Sequence, residues 1–273
     1  MVNVAILYVG IGQYIKFWQE FYLSMEKKFL LDSNKDYFVF TDAENIAFLD
    51  RYNVNTVYQE DLGWPGNTLY RYKMFYNIVD KLQKYDYIFF LNANIICTEE
   101  IKENDLFETG EDLIVVQHPG FIHAQPYQFP YERRKVSRAY IPYTQGNIYI
   151  CGGINGGKSQ EYIKMIEELA IRIEEDTKNN VIAVWHDESH INRYIMEHGN
   201  AKILPIQYAY PENSLKDQTI PKEVKLLLLD KKKYIVLPHN KEKRMIKSFL
   251  GINKVIKGIR DSYWKFYYSY FKR

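Results

Sequence analysis

The chain of 273 residues has only two cysteines, Cys97 and Cys151. Two thiols cannot build a disulfide framework or a four-cysteine zinc site, so a reducing cytoplasm is the expected compartment. Long hydrophobic runs are also missing. No stretch reaches the roughly 18–20 apolar residues that a membrane-spanning helix needs. The opening MVNVAILYVGIGQY has no basic region and no small-residue cleavage site, so a secretory signal is not expected. There is no large excess of one charge: 36 Lys and Arg against 34 Asp and Glu give +2. The charge is unevenly spread, however. Residues 245–273 hold seven Lys/Arg and one Asp, a charge of +6, which leaves −4 for the remaining 244. A basic tail on a mildly acidic body argues against a nucleic-acid binder.

Apolar residues (47%) and aromatics (16%, including 25 Tyr) are plentiful. The apolar fraction is that of a soluble globular protein. Aromatic faces pack on the C–H faces of sugars while a phenol hydroxyl bonds to them, so the composition hints at carbohydrate. Apolar runs at Val2–Tyr8, Asp36–Asp42, Asn53–Tyr58, Tyr85–Asn92 and Asp112–Gln117 predict strands. Helical spacing follows in Tyr14, Phe17, Trp18, Phe21 and Tyr22, and again over 67–83, 158–176 and 191–198. Late strands are expected at Ile203–Tyr210 and Tyr234–Leu237. Alternating strands and helices predict an α/β sheet in one catalytic domain, 1–244, followed by a tail, 245–273. In that tail Ile246, Phe249, Leu250, Ile252, Val255, Ile256 and Ile259 recur at helical spacing between lysines. Such a basic amphipathic helix suits an anionic membrane surface, or a packing partner.

Three segments carry chemistry. The strand ending at Leu91 runs into Asn92-Ala93-Asn94, at the sheet edge where α/β proteins bind ligands. Aspartates there would hold a divalent ion on a diphosphate, but a neutral Asn is a poor ligand for a hard cation; a strand-ending turn is the plain alternative. The run Val184-Trp185-His186-Asp187-Glu188-Ser189-His190 is the densest cluster. His186 and His190 have the i, i+4 spacing of helical metal ligands, yet Asp187 stands where a zinc protease needs Glu. Glycosyl chemistry needs a carboxylate at an oxocarbenium-like centre, and a helix N-cap needs only Asp or Ser. Gly152, Gly153, Gly156 and Gly157 flank Ile154-Asn155 and permit close backbone approach to a ligand. They do not complete a phosphate loop, and Gly10-Ile11-Gly12 does not complete a dinucleotide fingerprint.

Taken together, these blocks resemble glycosyltransferase family 6, the retaining family of the histo-blood-group A and B transferases and α1,3-galactosyltransferase. The resemblance runs through His118-Pro119-Gly120-Phe121, Tyr131-Glu132-Arg133-Arg134, Ala139-Tyr140-Ile141-Pro142, the glycine block and Ala183–His190, and covers roughly residues 4–240. It implies a GT-A fold, a mixed-sheet nucleotide-sugar domain. It places uracil on Tyr14 beside Val9 and Ile11, and the donor sugar and diphosphate on Arg71. Asp187 and His186 match donor-sugar contacts, Trp185 and His118 match acceptor-galactose contacts, and Glu188 matches the essential carboxylate, which also borders the acceptor. Cys151-Gly152-Gly153 matches the donor-selecting stretch, where Gly153 leaves room for an acetamido group and points to UDP-N-acetylgalactosamine rather than UDP-galactose. Pro130 replaces the family's acceptor-contact threonine.

The family's Asp-x-Asp metal motif is Asn92-Ala93-Asn94 here, still on the donor side of the site. The expectation is an enzyme without a divalent cofactor, whose leaving diphosphate is balanced by a basic side chain. Lys231 is the first candidate, among Lys231-Lys232-Lys233, Lys241, Lys243 and Arg244. The expected partners are UDP-GalNAc and a fucosylated galactoside, Fucα1,2-Gal, with no nucleic acid. The expected location is the cytoplasm, since the chain resembles the bacterial members, with peripheral contact at the inner membrane face through 245–273. A galactosyl version of the enzyme and a catalytically silent sugar-nucleotide binder are the alternatives, and a zinc hydrolase is the rival of another class.

Overall fold

A computed structural model of the chain describes residues 1–107, 110–214 and 223–236. Strand β1 (Asn3–Val9) leads through a 3-10 turn at Gly12–Phe17 into α1 (Trp18–Lys28), then β2 (Asn34–Thr41) and β3 (Val54–Tyr58). Three short helices follow: α2 (Gly63–Leu69), α3 (Arg71–Tyr76) and α4 (Val79–Leu82). The spacing predicts one helix over this stretch, but the backbone leaves helical values at Tyr70 (φ −95°, ψ 14°) and Ile78 (φ −123°, ψ 15°). Leu69, Tyr72, Met74, Phe75, Ile78 and Leu82 still bury themselves in one core, so burial sets the spacing while the helix re-aims at each break. Strands β4 (Tyr87–Leu91) and β5 (Ile95–Cys97), helix α5 (Glu103–Phe107) and strand β6 (Leu113–Gln117) come next. After a long connection held by two 3-10 turns come β7 (Ile150–Lys158), α6 (Ser159–Lys178) and α7 (His186–His198). The described chain closes with β8 (Ala201–Leu204), β9 (Tyr210–Pro211), β10 (Leu226–Leu228) and α8 (Lys231–Tyr234).

Seven strands form one mixed sheet in the order β3-β2-β1-β4-β7-β6-β8. Strands β3, β2, β1 and β4 are parallel, β7 runs antiparallel to both its neighbours, and β6 pairs in parallel with β8. A second sheet, β5-β10-β9, packs the end of the chain beside β5. The period of two along β1 shows how both faces are covered: Val4, Ile6 and Tyr8 enter one core cluster, and Ala5 and Leu7 the other. Much of the aromatic wealth is spent there. Tyr8, Trp18, Phe21, Tyr22 and Tyr37 pack ring against ring in the first cluster, which redirects the compositional hint of sugar binding towards the core. Both cysteines are buried and free. Among the described residues no helix is long and apolar enough to cross a membrane.

Two expected strands change, and the glycine block, given no element by the sequence reading, is a strand, β7. It pairs with β4 and β6 through backbone groups, which glycine supplies as well as any residue. The strand expected over 203–210 ends at Leu204, because Pro205 lacks an N–H and a 3-10 turn takes Ile206–Tyr208. The strand expected over 234–237 is replaced by α8, whose start is capped by Asp230 accepting from the Lys232 N–H at 3.2 Å; Leu237 lies outside the described residues. So does the tail, 245–273, with its expected amphipathic helix, and so do Lys241, Lys243 and Arg244.

Glycine in β7 is demanded by contact. A Cβ on Gly156 would lie 2.3 Å from Phe89 Cδ1 and 2.7 Å from the Ile88 carbonyl oxygen. Gly156→Ala is therefore expected to destabilise the fold by about 1–3 kcal/mol, read as a lower urea midpoint at unchanged slope.

Candidate active site

The C-terminal ends of β1 and β4, the bulged middle of β7 and the first turn of α7 converge. Their register explains why. Between β6 and β7, Val115 pairs with Asn155 but Val116 pairs with Cys151. Gly152, Gly153 and Ile154 are therefore extra residues that bulge from the ladder on that side. The freed Gly152 N–H donates to Glu188 Oε2 at 2.9 Å. On the other side, the Gly153 carbonyl accepts from the Asn92 N–H at 2.8 Å. A Cβ on Gly152 would lie 2.9 Å from Glu188 Cβ and 3.1 Å from its Cα, so α7 can approach the strand only over a bare backbone. The buried Asn155 supports the bulge by donating Nδ2 to the Gly152 carbonyl at 3.0 Å.

Glu188 is held at both oxygens. Oε1 accepts from the Tyr149 hydroxyl at 2.8 Å. Tyr149 is 1% exposed, and burial first, then the adjacent Glu188 charge, push its hydroxyl well above the usual phenol range. It stays a proton donor to the carboxylate. Sequence reasoning missed Tyr149; its one signal is its place two residues before Cys151 in the donor-selecting stretch.

Asp187 points the other way from the same turn and is 2% exposed. Arg71 Nε, from α3, lies 3.0 Å from Asp187 Oδ2. The Nε–H is aimed at the Thr68 carbonyl, 3.2 Å away, so the pair is held by charge and Oδ2 accepts no directed hydrogen bond. Burial pushes the Asp187 carboxyl up to about 7, against the pull of Arg71, with Glu188 adding to the rise. A buried carboxylate oxygen with an unused acceptor site suits a ligand hydroxyl. Arg71 also stacks its guanidinium 4.5 Å over the Phe90 ring.

The residues expected to meet the nucleotide gather at the turn after β1. Ile11 is buried, Val9 is half-buried, and Gly12 donates its N–H to Asp42 Oδ1 at 2.8 Å. Tyr14 is half-buried, and Lys231 Nζ sits 5.1 Å above its ring. Burial pulls the Lys231 ammonium down to about 8; the Arg71 charge adds to this and Cys151 opposes it. Among the described residues no carboxylate pairs with Lys231. Cys151 is buried beside it, its thiol pushed up to about 12 by burial and then by Glu188.

Of the residues expected to contact the acceptor, His118 accepts at Nδ1 from the Gly120 N–H at 3.0 Å, and its ring meets Tyr149 at 5.6 Å and Phe121 at 5.0 Å. Trp185 is half exposed at the mouth, its N–H fixed by Ser189 Oγ at 3.0 Å. Ser189 thus serves the helix start by reaching back to the Trp185 backbone N–H. Glu132 Oε2 accepts from the Val184 N–H at 2.9 Å while Arg134 binds Glu132 and the Ile182 carbonyl, which ties the 118–149 connection to the Trp185 segment. Pro130 is half-buried in that connection.

His186 and His190 part company. His186 (φ +53°) meets the Trp64 ring at 4.9 Å, whereas His190 is fully buried near Asp176 and is driven by burial down to about 3. The zinc arrangement is therefore not built. Among the described residues, the one cluster of three metal-type side chains, Glu168, Glu197 and His198, lies elsewhere, and Arg172 already bridges its two carboxylates. A cavity of about 580 Å³ beside α3 and α6 includes Tyr70, Lys73 and Glu174 but none of the convergent side chains.

Sequence comparison decides what this constellation is. The sequence model of glycosyltransferase family 6 matches residues 1–237. The chain belongs to glycosyltransferase family 6. The O-antigen biosynthesis glycosyltransferase WbnI of Escherichia coli is 36% identical over 84% of this chain and 95% of its own length. Histo-blood group ABO system transferase 2 of Rattus norvegicus is 26% identical over 87% of this chain and 70% of its own. Globoside alpha-1,3-N-acetylgalactosaminyltransferase 1 of Homo sapiens is 26% identical over 84% of this chain and 67% of its own. This family 6 chain is therefore a hexosyltransferase with a GT-A-like domain, acting between a nucleotide sugar and a glycan.

Divalent-metal ligation does not fit the motif after β4. Both side chains are neutral amides, Asn94 Oδ1 accepts from Asn92 Nδ2 at 3.3 Å, and Asn94 Nδ2 donates to the Leu229 carbonyl at 2.7 Å.

Tyr149→Phe removes a hydrogen bond to a charged group without removing the ring. The transfer rate is expected to fall about 10–100-fold with a smaller change in donor KM, measured by steady-state kinetics.

Proposed function

We propose that the protein is a retaining α1,3-N-acetylgalactosaminyltransferase that uses UDP-GalNAc and the galactose of Fucα1,2-Gal acceptors, without a divalent ion. The observation that carries the reading is the pairing of a fixed carboxylate with two convergent cations. Glu188, anchored by Gly152 and Tyr149, stands in the same turn as Asp187, the partner of Arg71, and Lys231, with no carboxylate of its own, is near enough to Arg71 to feel its charge. Two cations at low dielectric call for an anion, and a departing diphosphate is one.

In this reading uracil packs on Tyr14, with Val9 and Ile11 at its edge. Arg71 and Lys231 take the diphosphate, and Asp187 Oδ2 accepts from the donor-sugar hydroxyls. Trp185 and His118 set the acceptor galactose so that its 3-hydroxyl reaches C1. The C1–O bond breaks with its electron pair leaving on the diphosphate, the acceptor 3-oxygen forms the new bond to C1, and its hydroxyl proton passes to the departing diphosphate oxygen. Glu188 supplies negative charge to the electron-poor anomeric carbon. The donor choice rests on Gly153, where a Cβ would come to 3.4 Å from the Asn92 side chain; glycine leaves that space for an acetamido group. The family names support the same linkage, since one relative is named for α1,3-N-acetylgalactosaminyl transfer. Membrane contact through 245–273 rests on sequence alone.

Two measurements test this. Transfer of GalNAc to fucosylated lactose in EDTA is expected, is expected to exceed transfer of Gal, and is abolished in Glu188→Gln. Activity only with manganese would sink the metal-free reading, and UDP binding without transfer to any galactoside would favour a silent binder. The second is pH dependence. Lys231 titrates near 8 in the free protein and must be charged to balance diphosphate. The kcat/KM for donor should therefore fall as pH rises through about 8. Bound diphosphate raises that pKa, so kcat should hold to higher pH. Lys231→Ala removes this limb.

A further inference from the structure

We infer that Asn94 is a positioning residue for Lys231, so that the asparagine after β4 and the lysine of α8 form one functional unit. The inference rests on the reading above that Lys231 balances the diphosphate.

Asn94 is 4% exposed, and its bonds point to the chain end that carries the lysine. Its Nδ2 donates to the Leu229 carbonyl at 2.7 Å, and its own carbonyl accepts from the Leu229 N–H at 2.8 Å. Asn94 therefore clasps Leu229 at both backbone groups. One residue on, Asp230 donates its N–H to Glu212 Oε2 at 2.7 Å and caps the helix that begins at Lys231. The far end is latched by Gln13, whose Nε2 donates to the Val236 carbonyl at 3.0 Å and whose Oε1 accepts from the Val236 N–H at 3.2 Å. Between these anchors Lys231 is set over Tyr14. The buried clasp at Leu229 is the firmer one, because the Gln13 latch is exposed to water.

An aspartate at 94 cannot maintain this clasp. A carboxylate has no N–H to give the Leu229 carbonyl and would set a negative oxygen against a carbonyl oxygen out of water. A metal-ligating carboxylate at this position and a lysine delivered by α8 therefore exclude each other on this backbone. Asn94 acts through Lys231 and not by touching the diphosphate.

The test compares Asn94→Asp, Asn94→Ala, Lys231→Ala and the double variant Asn94→Asp/Lys231→Ala, assayed in EDTA. Asn94→Asp and Lys231→Ala are each expected to lower kcat/KM for the donor about tenfold or more. The double variant should lie within about threefold of the worse single, since a lysine already displaced has nothing further to lose. The alkaline limb of kcat/KM should move to higher pH in Asn94→Asp and, more weakly, in Asn94→Ala, as Lys231 leaves its buried place. A general loss of folding would lower activity without moving that limb. Single losses that multiply in the double variant, or a limb unmoved in both Asn94 variants, would overturn the coupling while leaving Lys231 in its role. Full activity in Lys231→Ala would overturn the charge-balance reading and the coupling with it.

Discussion

One glycine-rich strand sets the geometry of the cleft. Over Gly152–Gly153 and Gly156–Gly157, β7 offers its neighbours little but backbone. Helix α7 can then approach until Glu188 takes a hydrogen bond from a main-chain N–H, and β4 closes against the same strand from the other side, bringing Asn92 to Gly153. A methyl group at Gly152 would push Glu188 away, and with it Asp187 and Trp185 on the same turn. The bulge gives the strand its second use, because a fully paired Gly152 would have no N–H left for a carboxylate.

Charge is distributed around that backbone as one ion pair and two groups without an opposite charge. Asp187 is answered by Arg71, whereas Glu188 is answered only by hydrogen bonds, and Lys231 by an aromatic face. Burial acts on each group against its charged form, which lifts the acid and lowers the amine towards neutrality in the free protein. In the proposed reading, a diphosphate bearing negative charge and a sugar bearing hydroxyls would reverse both tendencies on binding. The cleft is thus tuned to its ligand, and less so to its own resting state.

Much of this was legible in advance, and unevenly so. The apolar runs that became β1, β2, β4 and β6 fixed their own identity, because each is a buried strand whose neighbours add little to the pattern. The cluster from Trp185 to His190 announced chemistry by residue type, and its order within glycosyltransferase family 6 assigned Asp187 and Glu188. Misreadings came where local pattern and tertiary packing diverge. The glycine block was given no element because glycine carries no hydrophobic signal, yet its pairing needs only N–H and C=O groups. The helix over 67–83 broke twice without losing its buried face. Tyr149 escaped notice because a tyrosine in an apolar stretch resembles core until its hydroxyl is seen on Glu188.

By itself the sequence determined the α/β class, the family, and the replacement of two metal-binding carboxylates by asparagines. Those are properties of residue type and order, and the chain carries them unfolded. Only the tertiary structure decided that Lys231 sits over Tyr14, which oxygen of Asp187 is left open, and what Asn94 holds. Each depends on groups 100 or more residues apart, such as Asn94 and Leu229, meeting at hydrogen-bond distance, and no local pattern encodes such a meeting.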